Sequence, residues 1–426
     1  MNAALICPGE RPSVSALAQS TPLALTPILG KTLLEYWLDH LVDRGVRHVF
    51  LLASDRPEQI RAWVGDGVRW ELKVEVMAEE RELTPAEAIA RYRARGDSDW
   101  PSEADNVRVM DFLPDAPERP LFRSYHDFFA IVKHLLPQAA AAPDRVGLRR
   151  VKPGVWIGLH SRVSPDADLQ APCWIGANVL VGPRAIVGPD VIVENGTVLA
   201  ADTEIADSIV GPETYVGEFT EVKHSLAWGN ILINWQSNSC THVPDAFLLS
   251  PLSQRAAPAR EGHWLGRALA LVVLTLTLPC ACYAVMKAWL RGQRAWRPLM
   301  AVRPRAALHS ADVLTYHELT AVGDWLKRWP QLWKVALGDF AWVGNRPLSP
   351  AAAVTLTSHF ERLWLKAPIG LFSLADAEAC AELFDQEARV LASFYALRAD
   401  WRLDLTILSR VLGLRLSKRI SFDNHP

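Results

Sequence analysis

Three histidines, His160, His224 and His242, fall in the middle of the chain, in a stretch otherwise made of small, apolar and turn-forming residues. An imidazole titrates near neutrality and can take a proton from an acceptor group, as acyl transfer requires. A lone histidine in such a stretch is more often a turn residue or a satisfied polar group, and all three are candidates for either reading. The cysteines offer no metal site: Cys7, Cys173, Cys240 and Cys380 are scattered, and Cys280 and Cys282 are close only within an apolar run. Scattered thiols fit a reduced, cytoplasmic setting. A different chemistry belongs to the basic cluster Lys287, Arg291, Arg294, Arg297, Arg303 and Arg305, because no Asp or Glu lies between Glu261 and Asp312. With Trp264, Trp289 and Trp296 close by, that cluster suits anionic lipid on a cytoplasmic leaflet.

The histidines sit in or just beyond a repeat. Apolar residues recur every sixth position at Ile157, Val163, Leu169, Ile175, Val181, Val187, Val193, Leu199 and Ile205. The phase then slips by one residue and resumes at Val210, Val216 and Val222, and glycine follows several of these positions. An α-helix cannot supply a period of six. Hexapeptides of this kind predict a left-handed parallel β-helix, three to a triangular coil, with each apolar residue pointing into a narrow core. About four coils are expected over residues 150–248, with Ile175, Val181, Val187 and Val193 inward.

A chain of 426 residues needs more than this one domain. Residues 1–143 alternate strand-like runs (Ala3–Ile6, His48–Ala53) with helical spacing (Thr32–Gly45), which predicts an α/β layer arrangement. Residues 249–263, rich in Pro, Ala and charge, read as a linker. From Ala268 to Met286 no residue is charged, a length that just crosses a bilayer's hydrocarbon core. Pro279 removes a backbone donor past the middle of that run, so a kink or break is expected. Residues 264–290 therefore read as a re-entrant or transmembrane helix bracketed by Arg267 and Lys287, or as the core helix of a soluble domain. Residues 291–426 are mixed, mainly helical and rich in tryptophan. The formal net charge of −2 argues against nucleic acid as a partner. The opening residues, with Pro8 and Pro12 and no basic region, do not read as a secretory signal.

The C-terminal part carries Pro330-Gln331-Leu332, Gly338-Asp339 and Val343-Gly344-Asn345-Arg346-Pro347. Ala367-Pro368-Ile369-Gly370-Leu371 and Trp401-Arg402-Leu403-Asp404-Leu405 follow in order. Together these resemble the monotopic phosphoglycosyl transferases, the bacterial sugar transferases that move a sugar-1-phosphate from a nucleotide sugar to polyprenyl phosphate. The resemblance implies a membrane hairpin broken at Pro279, an Asp-Glu dyad whose aspartate attacks phosphorus beside Mg2+, and a diphosphate-binding arginine. Arg346, followed by Pro347, matches that arginine. The dyad's places hold Lys327 and Arg328, and neither an ammonium nor a guanidinium can attack phosphorus or hold magnesium. Asp324 and Asp339 are the acidic neighbours that remain.

The N-terminal part carries Gly9-Glu10, then Pro27-Ile28-Leu29-Gly30-Lys31 and Gly45-Val46. It resembles the sugar-nucleotide pyrophosphorylases, nucleotidyltransferases often followed by a hexapeptide β-helix. Here the phosphate loop has lost a glycine and its arginine, so Gly9, Glu10 and Lys31 are the remnant of a nucleotide site. Taken together, the resemblances imply a protein of surface-polysaccharide biosynthesis at the cytoplasmic face of the bacterial inner membrane. Membrane lipids, a nucleotide sugar, polyprenyl phosphate and polysaccharide-assembly proteins are its expected partners, and a homo-oligomer is compatible. Transfer with a replaced dyad, an inactive scaffold or regulator, and a β-helix acyltransferase are the readings left open.

Overall fold

The computed structural model describes residues 2–94, 100–101, 106–114, 116, 119–141, 147–253, 264–290, 294–304, 313–320, 324–356, 359–378, 386–411 and 413. The chain divides into two compact units, one ending at Leu252 and the other beginning at Ser253.

The first unit opens with the expected α/β layer. Four parallel strands lie in the order Lys73–Ala78, His48–Ala53, Asn2–Ile6, Val107–Val109. His48–Ala53 is buried along its whole length, as befits a central parallel strand covered on both faces. The helical spacing after Thr32 becomes the helix Leu33–Asp43, started by the Thr32 hydroxyl accepting from the Glu35 N–H. Strand order reverses between Asn2–Ile6 and Val107–Val109, which makes the carboxyl ends of these two strands the natural ligand crevice of such a sheet.

The hexapeptides form a parallel β-helix of four coils. Strands of its first face pair Ile157↔Ile175, Ile175↔Val193 and Val193↔Val210. The second pairs Val163↔Val181, Val181↔Leu199 and Leu199↔Val216. The third pairs Leu169↔Val187, Val187↔Ile205 and Ile205↔Val222. Ile175, Val181, Val187 and Val193 are fully buried in one shared core. The slip in phase is absorbed at a corner: Val191 pairs with Ser208, and Asp207, just before it, takes the left-handed conformation (φ 47°). Leu249–Pro251, expected at the start of a linker, is a strand antiparallel to Thr214–Val216. Leu249 continues the inward apolar row, so its burial in the β-helix core outweighs any linker character of its neighbours. Residues 254–263, the rest of that linker, lie outside the described residues.

One face carries a second apolar row, pointing outward: Trp156, Trp174, Ile192, Ile209 and Leu226. These residues pack into the core of the α/β layer beside Phe129 and Trp235. A fully buried side chain of this size contributes about 1.5–3 kcal/mol, so the row fastens the two parts of the unit together. A buried carboxylate reinforces the join. Glu194, 1% exposed, accepts from the N–H groups of Leu29 and Gly30 at 2.6 and 2.8 Å.

The second unit begins with the apolar helix, a single element from Trp264 to Leu290. It is long and apolar enough to cross a membrane. The break expected at Pro279 is absent: the helix runs through it. The stripe Gly266, Ala270, Val273, Thr277, Ala281, Ala284 and Ala288 turns toward the rest of the unit, and four of its alanines are buried. Neighbouring indoles hold the helix ahead of the proline, and the buried Ala281, Ala284 and Ala288 pack it after the proline. Trp342 Nε1 donates to the Gly266 carbonyl at 2.8 Å, and Trp329 Nε1 donates to Thr277 Oγ1 at 2.9 Å. Leu269, Leu271, Val272, Leu276 and Met286 stay exposed. An antiparallel ribbon (Trp296–Val302 with Val313–Leu319), a short parallel pair (Ala341–Val343 with Gly370–Phe372) and the helices Gln331–Leu337, Gln386–Arg398 and Trp401–Val411 complete the unit.

Candidate functional site

In the first unit the loop after the first strand sits at the reversal of strand order, where a phosphate would be received. An internal carboxylate is there instead. Glu82 accepts from the Gly9 N–H at 2.9 Å and takes both ends of the Arg11 fork at 2.6 and 2.8 Å. Arg11 also reaches Asp111, just beyond the fourth strand, at 3.0 and 3.1 Å. Burial works against ionisation of Glu82, but Arg11 and the Gly9 N–H outweigh it and hold its carboxyl below the usual range. Burial pushes the Asp111 carboxyl up, with the nearby Glu82 charge adding to it against the pull of Arg11. Of the remnant residues, Gly9 is buried in this cluster and Glu10 is exposed. Lys31 stands apart on the hairpin that Glu194 holds, with its ammonium on Asp39 at 2.7 Å.

The three histidines occupy separate places on the β-helix. His160 is a left-handed corner residue of the first coil (φ 58°). His242 lies on the capping hairpin, with Nε2 2.7 Å from Asn230 Nδ2. His224 is a corner residue too, in one row with Asp190 and Asp207 of the preceding coils, all three with positive φ. Its Nδ1 lies 2.7 Å from Asp207 Oδ2, and its ring stands edge-on to Trp235. Lys133 closes the row, 2.7 Å from Asp190 and 3.6 Å from Asp207. His224 thus has the carboxylate that orients a general base.

In the second unit the motif stretches meet. Gly344 and Gly370 face each other so closely that a Cβ on Gly370 would fall 2.1 Å from the Gly344 nitrogen. This approach aligns the parallel pair and, with Asn345 donating to the carbonyls of Trp364 and Ala392 at 3.0 Å, fixes Arg346 directly after it. Arg346 is 8% exposed and donates through Nε and a terminal nitrogen to Asp376 Oδ1 at 3.1 and 2.6 Å. Arg328, in the second dyad place, donates to both oxygens of the same carboxylate at 2.8 Å. The Ser373 N–H and hydroxyl add two more contacts at 2.8 Å, within a capping box on the helix Leu374–Ala377. Burial opposes ionisation of Asp376, but the two guanidinium groups hold its carboxyl far below the usual range. The arginine expected on a diphosphate is therefore on an internal carboxylate, because a fixed fork inside a nearly closed site needs a resident anion.

The other sites expected from sequence are dispersed. Lys327 is half exposed, 3.6 Å from Glu318. Asp339 lies 3.1 Å from Lys334 and 3.7 Å from Arg303. Asp324 is on the helical turn Asp324–Lys327, and its side chain lies outside the described residues. Pro347 is half buried behind Arg346. Arg267 lies over Gly338, whose φ of 89° and missing Cβ make the room. Pro279 and Lys287 are exposed on the apolar helix.

The comparisons with known proteins bear on the first unit. A family model described as bacterial transferase hexapeptide (six repeats) matches residues 172–207. A mannose-1-phosphate guanylyltransferase of Mycobacterium tuberculosis (strain ATCC 25618 / H37Rv) is 28% identical over 120 residues, covering 26% of this chain and 33% of the relative. The chain thus matches about a third of that relative's length. A sugar-nucleotidyltransferase-like part with hexapeptide repeats is the reading these support.

Glu82 and Asp376 escaped the sequence reading. Glu82 is 71 residues from Arg11, and no local pattern announces it. Asp376 left one trace, the Ser373-x-x-Asp376 spacing of a capping box, which marks a helix start and not an ion pair.

Proposed function

We propose that this protein is a membrane-attached, non-transferring scaffold of bacterial surface-polysaccharide assembly, related in design to the phosphoglycosyl transferases. It would hold assembly partners at the cytoplasmic face of the inner membrane. The observation that carries this reading is the Asp376 carboxylate gripped by both Arg328 and Arg346. The arginine that would take a donor's diphosphate is already engaged, and the place of the nucleophile holds lysine. The described residues there do not suit magnesium. An ammonium and a guanidinium offer no oxygen ligand, and Asp376 receives six donor contacts on two oxygens. The first unit supports the same reading, since Glu82 fills the loop that would meet a nucleotide's phosphates.

Attachment rests on the exposed apolar surface of Trp264–Leu290. The unit packs along the inner stripe on both sides of Pro279, so the helix would lie with its outer face in one leaflet, body and helix on the same side. Membranes containing the protein should form no polyprenyl-diphosphosugar from nucleotide sugars with magnesium. Lys327→Ala should still restore polymer to a strain lacking the gene. Robust magnesium-dependent transfer, or loss of polymer in Lys327→Ala at normal protein levels, would overturn the reading.

The His224–Asp207 pair favours a second reading, acyl transfer on the β-helix with His224 as base. Acyl transfer from a thioester donor, abolished by His224→Ala and weakened by Asp207→Asn, would establish it. The absence of transfer with short- and long-chain donors would remove it.

A further inference from the structure

The cavity left unused by the readings above lies in the second unit, beside the last three turns of the apolar helix. Its volume is about 720 Å³, a size suited to a small molecule. Cys282, Met286 and Trp289 of the helix form one wall, and Trp296 and Trp329 form the other. The walls are held in place independently of any occupant. Trp329 Nε1 is fixed on Thr277, whose hydroxyl in turn donates to the Val273 carbonyl at 2.6 Å. The chain leading into Trp296 is pinned by Thr320, whose N–H donates to the Ala295 carbonyl at 3.0 Å and whose hydroxyl donates to the Arg294 carbonyl. Trp296 then rests edge-on against His317.

Charge narrows the occupant. Among the described residues lining the cavity, Arg294 is the charged one and no carboxylate is present. Lys287 and Arg297 lie close on either side in sequence, with Arg297 opposite Glu318 across the ribbon. The apolar wall is continuous with the exposed row of the helix, where Leu276, Tyr283 and Met286 are 79%, 63% and 51% exposed. A ligand fitting these walls carries a flexible apolar chain and a single anionic group, the chemistry of a bilayer lipid with a phosphate head.

We propose that this cavity seats one acyl chain of an anionic phospholipid, with the Arg294 guanidinium on its phosphate. This rests on the membrane attachment proposed above. The seat draws a chain out of the leaflet between the helix and Trp329, and the guanidinium fork selects phosphate over a zwitterionic headgroup whose own cation competes.

The full chain is first floated with vesicles, then placed in nanodiscs of equal phosphatidylglycerol and phosphatidylcholine and examined by native mass spectrometry after release. One phosphatidylglycerol should remain on each chain. Cys282→Trp and Met286→Trp, which fill the cavity from two turns of the helix, should lose it. Cys280→Trp, on the same helix away from the cavity, should keep it. Arg294→Gln should keep a lipid while losing about tenfold of the preference for phosphatidylglycerol. Failure to float would overturn the attachment and this proposal with it. Flotation with no retained lipid, or equal retention by both filled variants, would overturn this proposal alone. A Cys282–Cys282 crosslink between chains would place a second copy in the cavity and overturn it too.

Discussion

The two units use the same groups in opposite proportion. In the first, one guanidinium, Arg11, lies between the carboxylates of Glu82 and Asp111. In the second, one carboxylate, Asp376, lies between the guanidinium groups of Arg328 and Arg346. The first cluster therefore has an excess negative charge and would repel a phosphate, while the second has an excess positive charge. Under the proposed function, both place an internal acid where a phosphorylated ligand would go. Only the first also reverses the field that such a ligand would meet.

The sharpest break in this comparison would come from stability. Asp376→Ala leaves the buried Arg346 guanidinium facing the partly buried Arg328 with no acid between them, and we expect a loss of about 3–5 kcal/mol in thermal or denaturant unfolding in detergent. Glu82→Ala removes a partner from a more open cluster, with Arg11 and Glu82 side chains 27% and 22% exposed. Its loss should be smaller, about 1.5–3 kcal/mol. A Glu82→Ala variant as damaging as Asp376→Ala would mean that exposure and proportion do not separate the clusters.

Acid should separate them next. The Asp376 carboxyl is lowered in the fold, so its contribution is complete above the ordinary carboxylate pKa of about 4 and is lost as pH falls toward its folded value. Asp111 is raised, so its contribution has the opposite sign and the fold gains from it as pH falls through its folded value. The penalty of Asp376→Asn should accordingly shrink below about pH 4. The benefit of Asp111→Asn should shrink as pH falls toward that value, with a slope of at most about 1.4 kcal/mol per pH unit. Melting curves from pH 3 to 7 in the two variants check both signs.

The smallest effect concerns ligands. Glu82→Gln with Asp111→Asn leaves Arg11 as the only charge of its cluster. Affinity for inorganic triphosphate should rise by up to about tenfold, or about 1.4 kcal/mol, in calorimetry. Equal binding by the unmodified chain and the double variant would show that the negative excess does not govern access.

Much of the first unit was readable in the sequence because its signals are periodic. Val181 and Val187 fix the inward register through spacing alone, and the slip after Ile205 reappears as a tightened corner at Asp207. Even the outward row could have been found, since Trp174, Ile192 and Ile209 place apolar residues where a solvent face would want polar ones. The ion clusters were not readable, because Asp376 meets Arg328 from 48 residues away and no period links them. Pro279 misled for a different reason. Its cost to a helix is real, but contacts from Trp342 and Trp329 ahead of it and the buried Ala281, Ala284 and Ala288 after it hold the helix together through it.

The two shorter coils of the β-helix have a consequence for length. Successive first-face strands pair at an offset of eighteen residues from Val155 to Cys173 and of seventeen from Val191 to Ser208, yet the inward rows stay in line. A lost residue is taken up at one corner and leaves the three faces unrotated. Inserting or removing a whole coil would then translate the capping hairpin Ile231–His242 along the axis by one strand spacing, about 4.8 Å, without turning it. The stack works as a ruler whose graduations tolerate miscounting within a coil but register every coil added.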